Sequence, residues 1–244
     1  MRKIAPFFLA FSCAGGPGVR ELPRGAAPEL ALQFTDEVPF HNVGIAFDGK
    51  RYYTVNGGNN DYGRVNVYDT TGKFLKAYKI KIDARAIWYH PRLKRLFIKD
   101  YFRDLWEFDP KTGRVKLFAE SAFHDCQSSP ALSPDGKLVY ERVDTLVFVM
   151  EWGSFQDAET LKIKDGAEFP ASVCIAAGPG ALFTFDGEKL RVWSLKGEPL
   201  GSYSLPKGDY PFSLSWAGGK LFIASDADGE EVGAEGVWYG YEFR

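Results

Sequence analysis

Five short polar segments precede apolar stretches of the chain and carry most of its candidate functional side chains. They supply imidazole, carboxylate, guanidinium, amide and phenol groups, and aromatic side chains such as Phe40 and Phe212 stand beside them. Groups of mixed charge with aromatic neighbours are typical of a ligand site. The candidate ligand-binding residues are His41, Asp83, Arg85, His124, Asp125, Gln127, Asp209 and Tyr210.

These residues match no known catalytic motif. The sequence contains no GxSxG elbow, no HExxH helix and no phosphate-cradling glycine loop. His124, Asp125 and Cys126 offer a base and a thiol, but adjacent residues on a strand point to opposite faces and cannot form a relay. A zinc site would have His41 and His124 and would need a third ligand from elsewhere. The sequence therefore favours binding over catalysis and leaves catalytic and metal-binding residues unassigned.

The candidate residues must be positioned by a repeated unit, which is clearest in residues 44–80. This segment contains four short apolar stretches, IAF, RYYTV, RVNVY and FLKAYKI, separated by Asp-Gly, a Gly/Asn cluster and an Asp-Thr-Thr-Gly turn. The pattern predicts a four-stranded antiparallel meander. One such sheet cannot bury both of its apolar faces, so the unit needs neighbouring copies of itself.

Two series of marker positions reveal the copies. Second-strand markers recur at spacings of 39 to 44 residues and third-strand markers at 40 to 48. A period near 40 with four strands per unit is that of a β-propeller blade. The markers are Tyr52, Leu96, Leu138, Leu182 and Leu221 in the second strands, and Tyr68, Phe108, Met150, Trp193 and Tyr241 in the third.

The expected fold is an all-β, five-bladed propeller with four-stranded antiparallel blades. Residues 30–244 number 215, or 43 for each of five blades, and no helical period longer than a few residues interrupts them. The last repeat has three strands, so we predict that the lone strand at residues 30–34 completes it and leaves no open edge. Residues that enter the innermost strands then surround one end of the central channel. We therefore expect the candidate ligand-binding residues to lie at this channel mouth.

The first predicted blade resembles NHL-type repeats in GIAFD at 44–48, YTV at 53–55, RVNVYD at 64–69 and GKFL at 72–75. The third contains LSPDGKLVY at 132–140, which is similar to the SPDGK turn of YVTN and tryptophan–aspartate propellers. These resemblances imply the propeller architecture. They leave the activity open, because such propellers serve as binding platforms, lactonases, lyases and scaffolds.

The predicted architecture is also similar to that of calcium-dependent propeller lactonases, which hold one cation with carboxylates and an Asn. That resemblance implies a metal-dependent hydrolase or lyase as the alternative function, with calcium as its cofactor and Asn42, Asp83, Asp125 and Asp209 as the residues to recruit. The acidic loop at 225–236 opens with DADG like a calcium loop, but it does not meet the EF-hand pattern. We favour a solvated connection there, and no cofactor.

Two cysteines remain open to two interpretations. Cys126 and Cys174 stand near the starts of neighbouring inner strands, so an exported protein could join them in a disulfide. Cys174 in SVCIAA also fits a small buried apolar residue. The sequence does not decide between them.

The N-terminal segment predicts export. Arg2 and Lys3 precede the apolar run IAPFFLAF, which is too short for a transmembrane helix and typical of a secretory signal. The AFSC ending resembles a bacterial lipobox, which implies lipidation at Cys13, and an ordinary cleaved signal is the alternative. We assign residues 1–13 to a signal peptide, residues 14–29 to a flexible Gly, Pro and Ala-rich linker, and residues 30–244 to the propeller.

The overall charge excludes one class of partner. With 30 basic and 32 acidic side chains the net charge is −2, and no basic footprint for nucleic acid is visible. We expect a monomer in the bacterial cell envelope, lipid-anchored at the outer membrane or periplasmic, whose membrane contact is the N-terminal lipid. Its expected function is a binding or scaffolding module for a protein, peptide or glycan ligand at the channel mouth.

Overall fold

The computed structural model describes residues 27–37, 40–163, 174–226 and 235–244, whose strands form five separate four-stranded antiparallel sheets. Within these ranges the chain otherwise forms turns and a single 3-10 turn at Asn60–Tyr62. The all-β, five-bladed prediction is confirmed. The strands are β1 (Pro28–Glu37), β2 (His41–Phe47), β3 (Tyr52–Gly57), β4 (Arg64–Tyr68), β5 (Phe74–Lys79), β6 (Ala84–His90), β7 (Arg95–Asp100), β8 (Leu105–Phe108), β9 (Val115–Ala119), β10 (Ala131–Leu132), β11 (Leu138–Val143), β12 (Leu146–Glu151), β13 (Asp157–Lys162), β14 (Ala176–Gly178), β15 (Ala181–Phe185), β16 (Leu190–Ser194), β17 (Pro199–Tyr203), β18 (Tyr210–Ala217), β19 (Lys220–Ser225) and β20 (Glu235–Phe243).

The innermost strand of the ring is the first strand in blades 1 to 4 and β18 in blade 5. Blades 1 to 4 run in sequence from β2, β6, β10 and β14, and blade 5 has the order β1-β20-β19-β18. The inner strands β2, β6, β10, β14 and β18 contact one another in a closed circuit. They all begin at the same end of the ring, which is the channel mouth, and end at the opposite face.

The hydrophobic core is divided among the blade interfaces. Each of five buried apolar clusters draws its side chains from two adjacent blades. The cluster between blades 1 and 2 includes Val67 and Ile98, and that between blades 3 and 4 includes Val147 and Leu182. A single blade therefore buries its apolar faces only against its neighbours, as its repeat pattern predicts.

The N-terminal strand closes the ring. Strand β1 pairs antiparallel with β20, with Leu30 opposite Tyr241 and Phe34 opposite Trp238. This pairing confirms the predicted completion of the last blade, although the strand is longer than residues 30–34. The pairing covers the outer edge of β20, which would otherwise be open to another chain.

A buried carboxylate fastens this closing strand to blade 1. Asp36 of β1 is fully buried and accepts hydrogen bonds from Asn66 Nδ2 at 2.8 Å and Asn42 Nδ2 at 3.2 Å. It also accepts from the Tyr68 hydroxyl and from Trp238 Nε1, the latter at 2.8 Å. Because Trp238 belongs to blade 5 and the other three donors belong to blade 1, Asp36 joins the two ends of the ring.

The strand markers lie in second and third strands, as predicted, and in four blades the two markers face each other. In blade 1, Tyr52 lies opposite Tyr68, and the markers of blades 2, 4 and 5 are paired in the same way. In blade 3, Met150 lies opposite Val139 rather than Leu138. Leu138 lies in the second strand of its blade, as predicted, one residue before the position that faces Met150. Side chains alternate between the two faces of a strand, and of the neighbours Leu138 and Val139 only Val139 is fully buried.

The hairpin turns follow the expected Asp and Gly chemistry. Asp69 Oδ1 accepts from the backbone N–H groups of Thr71 and Lys73 at 2.8 and 3.0 Å. Gly72 follows with a φ of 84°, which L side chains rarely adopt. A Cβ atom on Gly72 would also lie 2.4 Å from Cβ of Phe34 on the closing strand. Glycine is therefore required both by the turn and by ring closure.

Several sequence predictions lie outside the described residues. These are the signal peptide, the lipidation site at Cys13, the linker up to residue 26, and the fourth of the five segments that precede inner strands, at residues 169–172. Within the described part of the chain, no helix has the length and apolar character needed to cross a membrane.

Candidate functional site

Four of the eight candidate residues come together where three inner strands begin. His41 and Tyr210 are the first residues of β2 and β18, Arg85 is the second of β6, and β2 contacts both other strands. The rings of His41 and Tyr210 stack with their centroids 5.5 Å apart and their planes at 22°. We call the set His41, Asp83, Arg85, Tyr210 and Asp226 the mouth cluster.

His41 is held by a carboxylate from blade 5. Its Nδ1 lies 2.5 Å from Oδ2 of Asp226, and the backbone N–H of Asn42 donates to Oδ1 of the same carboxylate at 3.0 Å. The hydrogen bond to Asp226 raises the pKa of His41, and burial opposes this rise. The imidazole therefore carries a proton at higher pH than an ordinary histidine. Its side chain is 39% exposed, so a ligand can reach it.

Arg85 is fixed by an acid, a ring and a glycine. Its NH2 donates to Oδ2 of Asp83 at 3.1 Å, and its guanidinium lies 5.1 Å from the centre of the Tyr101 ring. Asp83 in turn accepts from the backbone N–H of Gly58 at 2.7 Å. A Cβ atom on Gly57 would lie 2.6 Å from NH1 of Arg85 and 2.8 Å from the backbone oxygen of Ala84, so a larger residue would force the guanidinium or this backbone to move. The Arg85 Nε is buried and has no partner among the described residues.

Tyr210 contributes an aromatic face and a phenol. Burial raises the pKa of its hydroxyl, and the negative charge of Asp226 raises it further. The phenol therefore stays protonated over the physiological range and can donate a hydrogen bond. Its ring contacts both His41 and Phe212, and the Phe212 centroid is 5.6 Å away. The mouth cluster thus combines stacked rings, a fixed cation and two carboxylates.

Comparison of the chain with protein-family models finds no match, and comparison with curated proteins finds none. The propeller architecture is compatible with many unrelated functions. A function for this protein therefore has to be argued from the arrangement of its own side chains.

His124, Asp125 and Gln127 belong to a second group, in the loop before blade 3. The buried Glu141 carboxylate accepts from the backbone N–H groups of His124 and Asp125 at 2.8 and 3.0 Å, and from the Ser128 hydroxyl at 2.5 Å. His124 Nδ1 also bonds Glu141 at 2.8 Å. The backbone N–H of Gln127 donates to Oδ1 of Asp125 at 2.7 Å. These bonds hold the loop beside the mouth cluster.

Lys99 supports the same loop from inside the ring. This fully buried amine donates to the backbone oxygens of Asp125, Cys126 and Ser128 at 2.9, 2.8 and 2.9 Å. Burial lowers the pKa of Lys99 to about 8. The three bonds occupy the three donors of the ammonium group. Lys99 is therefore positioned to hold the loop rather than to contact a ligand.

Asp209 faces a different part of the surface. It lines a groove of about 370 Å³ between blades 4 and 5, together with Lys207 and Tyr239. Its backbone N–H donates to the oxygen of Ala224 at 3.1 Å. The predicted site is thus divided into the mouth cluster, the loop group and this groove.

The carboxylates proposed for a cation do not form one group. Among the described residues, no three His, Cys, Asp or Glu side chains are arranged to hold a metal ion. Asp83 bonds Arg85, and the carboxylate of Asp125 accepts from backbone N–H groups of its own loop. The Asn42 amide donates to Asp36. The described residues therefore provide no set of oxygen ligands for the calcium proposed in the alternative function.

Both cysteines of the propeller are free thiols, so the disulfide interpretation does not hold. Cys174 is fully buried, and burial raises its pKa to about 12. This placement confirms the reading of Cys174 as a small buried apolar residue.

Two residues of this region were not predicted from the sequence. Asp226 and Tyr101 follow second strands, β19 and β7. A second strand runs antiparallel to its inner strand, so the residue after it lies beside the start of the inner strand. This rule places both residues at the mouth and is the signal that could have found them. Asp226 belongs to the acidic loop favoured above as a solvated connection, and residues 227–234 of that loop lie outside the described residues.

Proposed function

We propose that this protein is a binding module whose channel mouth takes a protein, peptide or glycan ligand. The observation that carries the proposal is the stacked pair of His41 and Tyr210 beside the fixed guanidinium of Arg85. Aromatic faces with adjacent hydrogen-bonding groups are the usual means by which proteins hold sugar rings and peptide side chains.

Each member of the mouth cluster has a distinct part in the proposed recognition. The Tyr210 phenol and the His41 imidazole supply flat surfaces and donors, and Asp226 fixes the orientation of the imidazole. Arg85 supplies a cation that Asp83 and Tyr101 hold in place before a ligand arrives. Prior positioning favours affinity because little side-chain freedom is lost on binding.

We further propose that the module is exported and held at the cell envelope by a lipid on Cys13, and that its blades are of the NHL type. The sequence features in favour are the basic and apolar N-terminal run, the AFSC ending and the NHL-like repeat of blade 1. A tether of Gly, Pro and Ala-rich chain would leave the mouth free to meet a partner.

The proposal is tested by probing arrays of defined peptides and glycans with the purified propeller and measuring Kd for the strongest ligand. Tyr210→Ala and His41→Ala should each weaken that ligand about tenfold or more, because each removes one face of the stacked pair.

Phe74→Ala provides the matched control. Phe74 is an exposed aromatic residue on outer strand β5, so its loss should leave the affinity unchanged. A ligand bound equally well by both mouth variants would overturn the proposal. The proposal would also be overturned if Phe74→Ala weakened binding as much as Tyr210→Ala and His41→Ala do.

A further inference from the structure

A cavity of about 230 Å³ opens at the face opposite the mouth. The inner strands begin at the mouth, so their last residues lie at this other end of the channel. All five inner strands line the cavity, through Phe47, Tyr89, Leu132, Ala177 and Trp216 among others. We call it the exit cavity.

The walls of the exit cavity are uncharged. The described residues that line it include no Asp, Glu, Lys, Arg or His. Among the polar lining residues, Ser133 already has hydrogen-bond partners within the protein. Its hydroxyl accepts from the Leu138 N–H at 2.9 Å and donates to Asp135 at 2.8 Å. A charged ligand would lose its hydration here without gaining a partner of opposite charge. The lining therefore selects for a neutral molecule.

Two tryptophans form fixed aromatic walls. The nearly buried Trp88 donates its indole N–H to the oxygen of Pro130 at 2.9 Å. Trp216 stacks on Phe183, with centroids 5.5 Å apart and planes at 11°. Contacts within the protein hold both rings, so the cavity exists before any ligand arrives.

The volume of the exit cavity limits the size of its occupant. An apolar cavity of about 150 Å³ accepts benzene. At about 230 Å³, the exit cavity accepts one ring with substituents or two fused rings. A folded partner or a peptide backbone does not fit into such a space.

We propose that the exit cavity is a second binding site, for a small neutral aromatic molecule of one or two rings that carries at most a hydroxyl or carbonyl group. The ring system lies against Trp88 and Trp216, which both line the cavity. This site shares no residue with the mouth cluster, so it does not depend on the function proposed for the mouth.

A matched pair of probes tests the inference on the full propeller. 2-Naphthol is a neutral two-ring molecule, and 2-naphthalenesulfonate has the same rings with a permanent negative charge. Calorimetric titration should show saturable 1:1 binding of 2-naphthol and at least tenfold weaker binding of the sulfonate. Absence of saturable 2-naphthol binding, or equal affinity for the two probes, would refute the inference.

Two cavity-filling variants locate the site. Ser215→Leu and Leu132→Trp add carbon atoms from partly exposed positions of the lining, and thermal melting confirms which of them are folded. Each folded variant should bind 2-naphthol at least tenfold more weakly. Tyr210→Ala at the mouth should bind it as the unchanged protein does. Loss of binding in Tyr210→Ala, or full binding in the filled variants, places the probe elsewhere and contradicts the inference.

Discussion

Replacing Asp36 should weaken the attachment of the closing strand β1 to blade 1 and so lower the stability of the propeller. Asp36→Ala removes the acceptor of the buried Tyr68 hydroxyl and the Trp238 indole N–H. A buried donor that loses its acceptor costs about 1–3 kcal/mol. Two such donors give an expected loss of about 2–6 kcal/mol, which is a large part of the roughly 5–15 kcal/mol that stabilises an ordinary domain.

Asp36→Asn separates the effect of the negative charge and second acceptor oxygen from the effect of the side chain's shape. The amide keeps one acceptor oxygen, but it turns an NH₂ group toward the side chains of Asn42, Asn66, Tyr68 and Trp238, which all donate to Asp36. We expect a loss of about 1–3 kcal/mol, between the unchanged protein and Asp36→Ala. A fully isosteric residue is thus predicted to be a poor substitute.

The assay is urea denaturation followed by tryptophan fluorescence and circular dichroism. Glu37→Ala is the control, since Glu37 is the exposed neighbour of Asp36 on β1, and it should change stability by less than about 0.5 kcal/mol. A loss below about 1 kcal/mol for Asp36→Ala would refute the closure argument. Equal losses of stability in Asp36→Ala and Glu37→Ala would refute it as well.

Three further substitutions test other parts of the structure. Gly72→Ala should destabilise the protein by about 1–3 kcal/mol more than Gly153→Ala in the same assay. Both glycines have positive φ, 84° and 94°, but a Cβ atom meets Phe34 only at Gly72, and equal losses would contradict this. Lys99→Met should cost about 2–4 kcal/mol by leaving backbone oxygens unpaired, and an unchanged denaturation midpoint would count against it. Asp226→Asn should lower the pKa of His41 in an NMR titration. Because the folded pKa of His41 is raised, its stabilising contribution is complete at acid pH and disappears as pH rises through that pKa, so Asp226→Asn should lose more stability at about pH 5.5 than at about pH 8. An unshifted His41 titration would refute the role of Asp226.

Local sequence information was sufficient for the architecture. The turn at Asp69 and Gly72 and the spacing of the strand markers act within one blade, so their chemistry can be read without the rest of the chain. The strand at residues 30–34 was recognisable because the last repeat lacks one strand. At Leu138 the marker lies one residue from the position that faces Met150, because two adjacent apolar residues both fit the pattern.

The site was predictable only in part, because it depends on approaches between blades. His41, Arg85 and Tyr210 were accessible as residues that begin inner strands. The pairing of His41 with Asp226 joins positions 185 residues apart, and no local pattern specifies such a contact. The neutral exit cavity is likewise assembled from one stretch of each blade, each of which resembles ordinary core sequence.

The most direct test of the proposed function is to map a ligand onto the protein by NMR. With the strongest ligand from the peptide and glycan arrays, backbone amide shifts should concentrate at the starts of β2, β6 and β18, around His41, Arg85 and Tyr210. Shifts confined to the outer strands, to the groove beside Asp209 or to the exit cavity would contradict the claim that the channel mouth is the binding site.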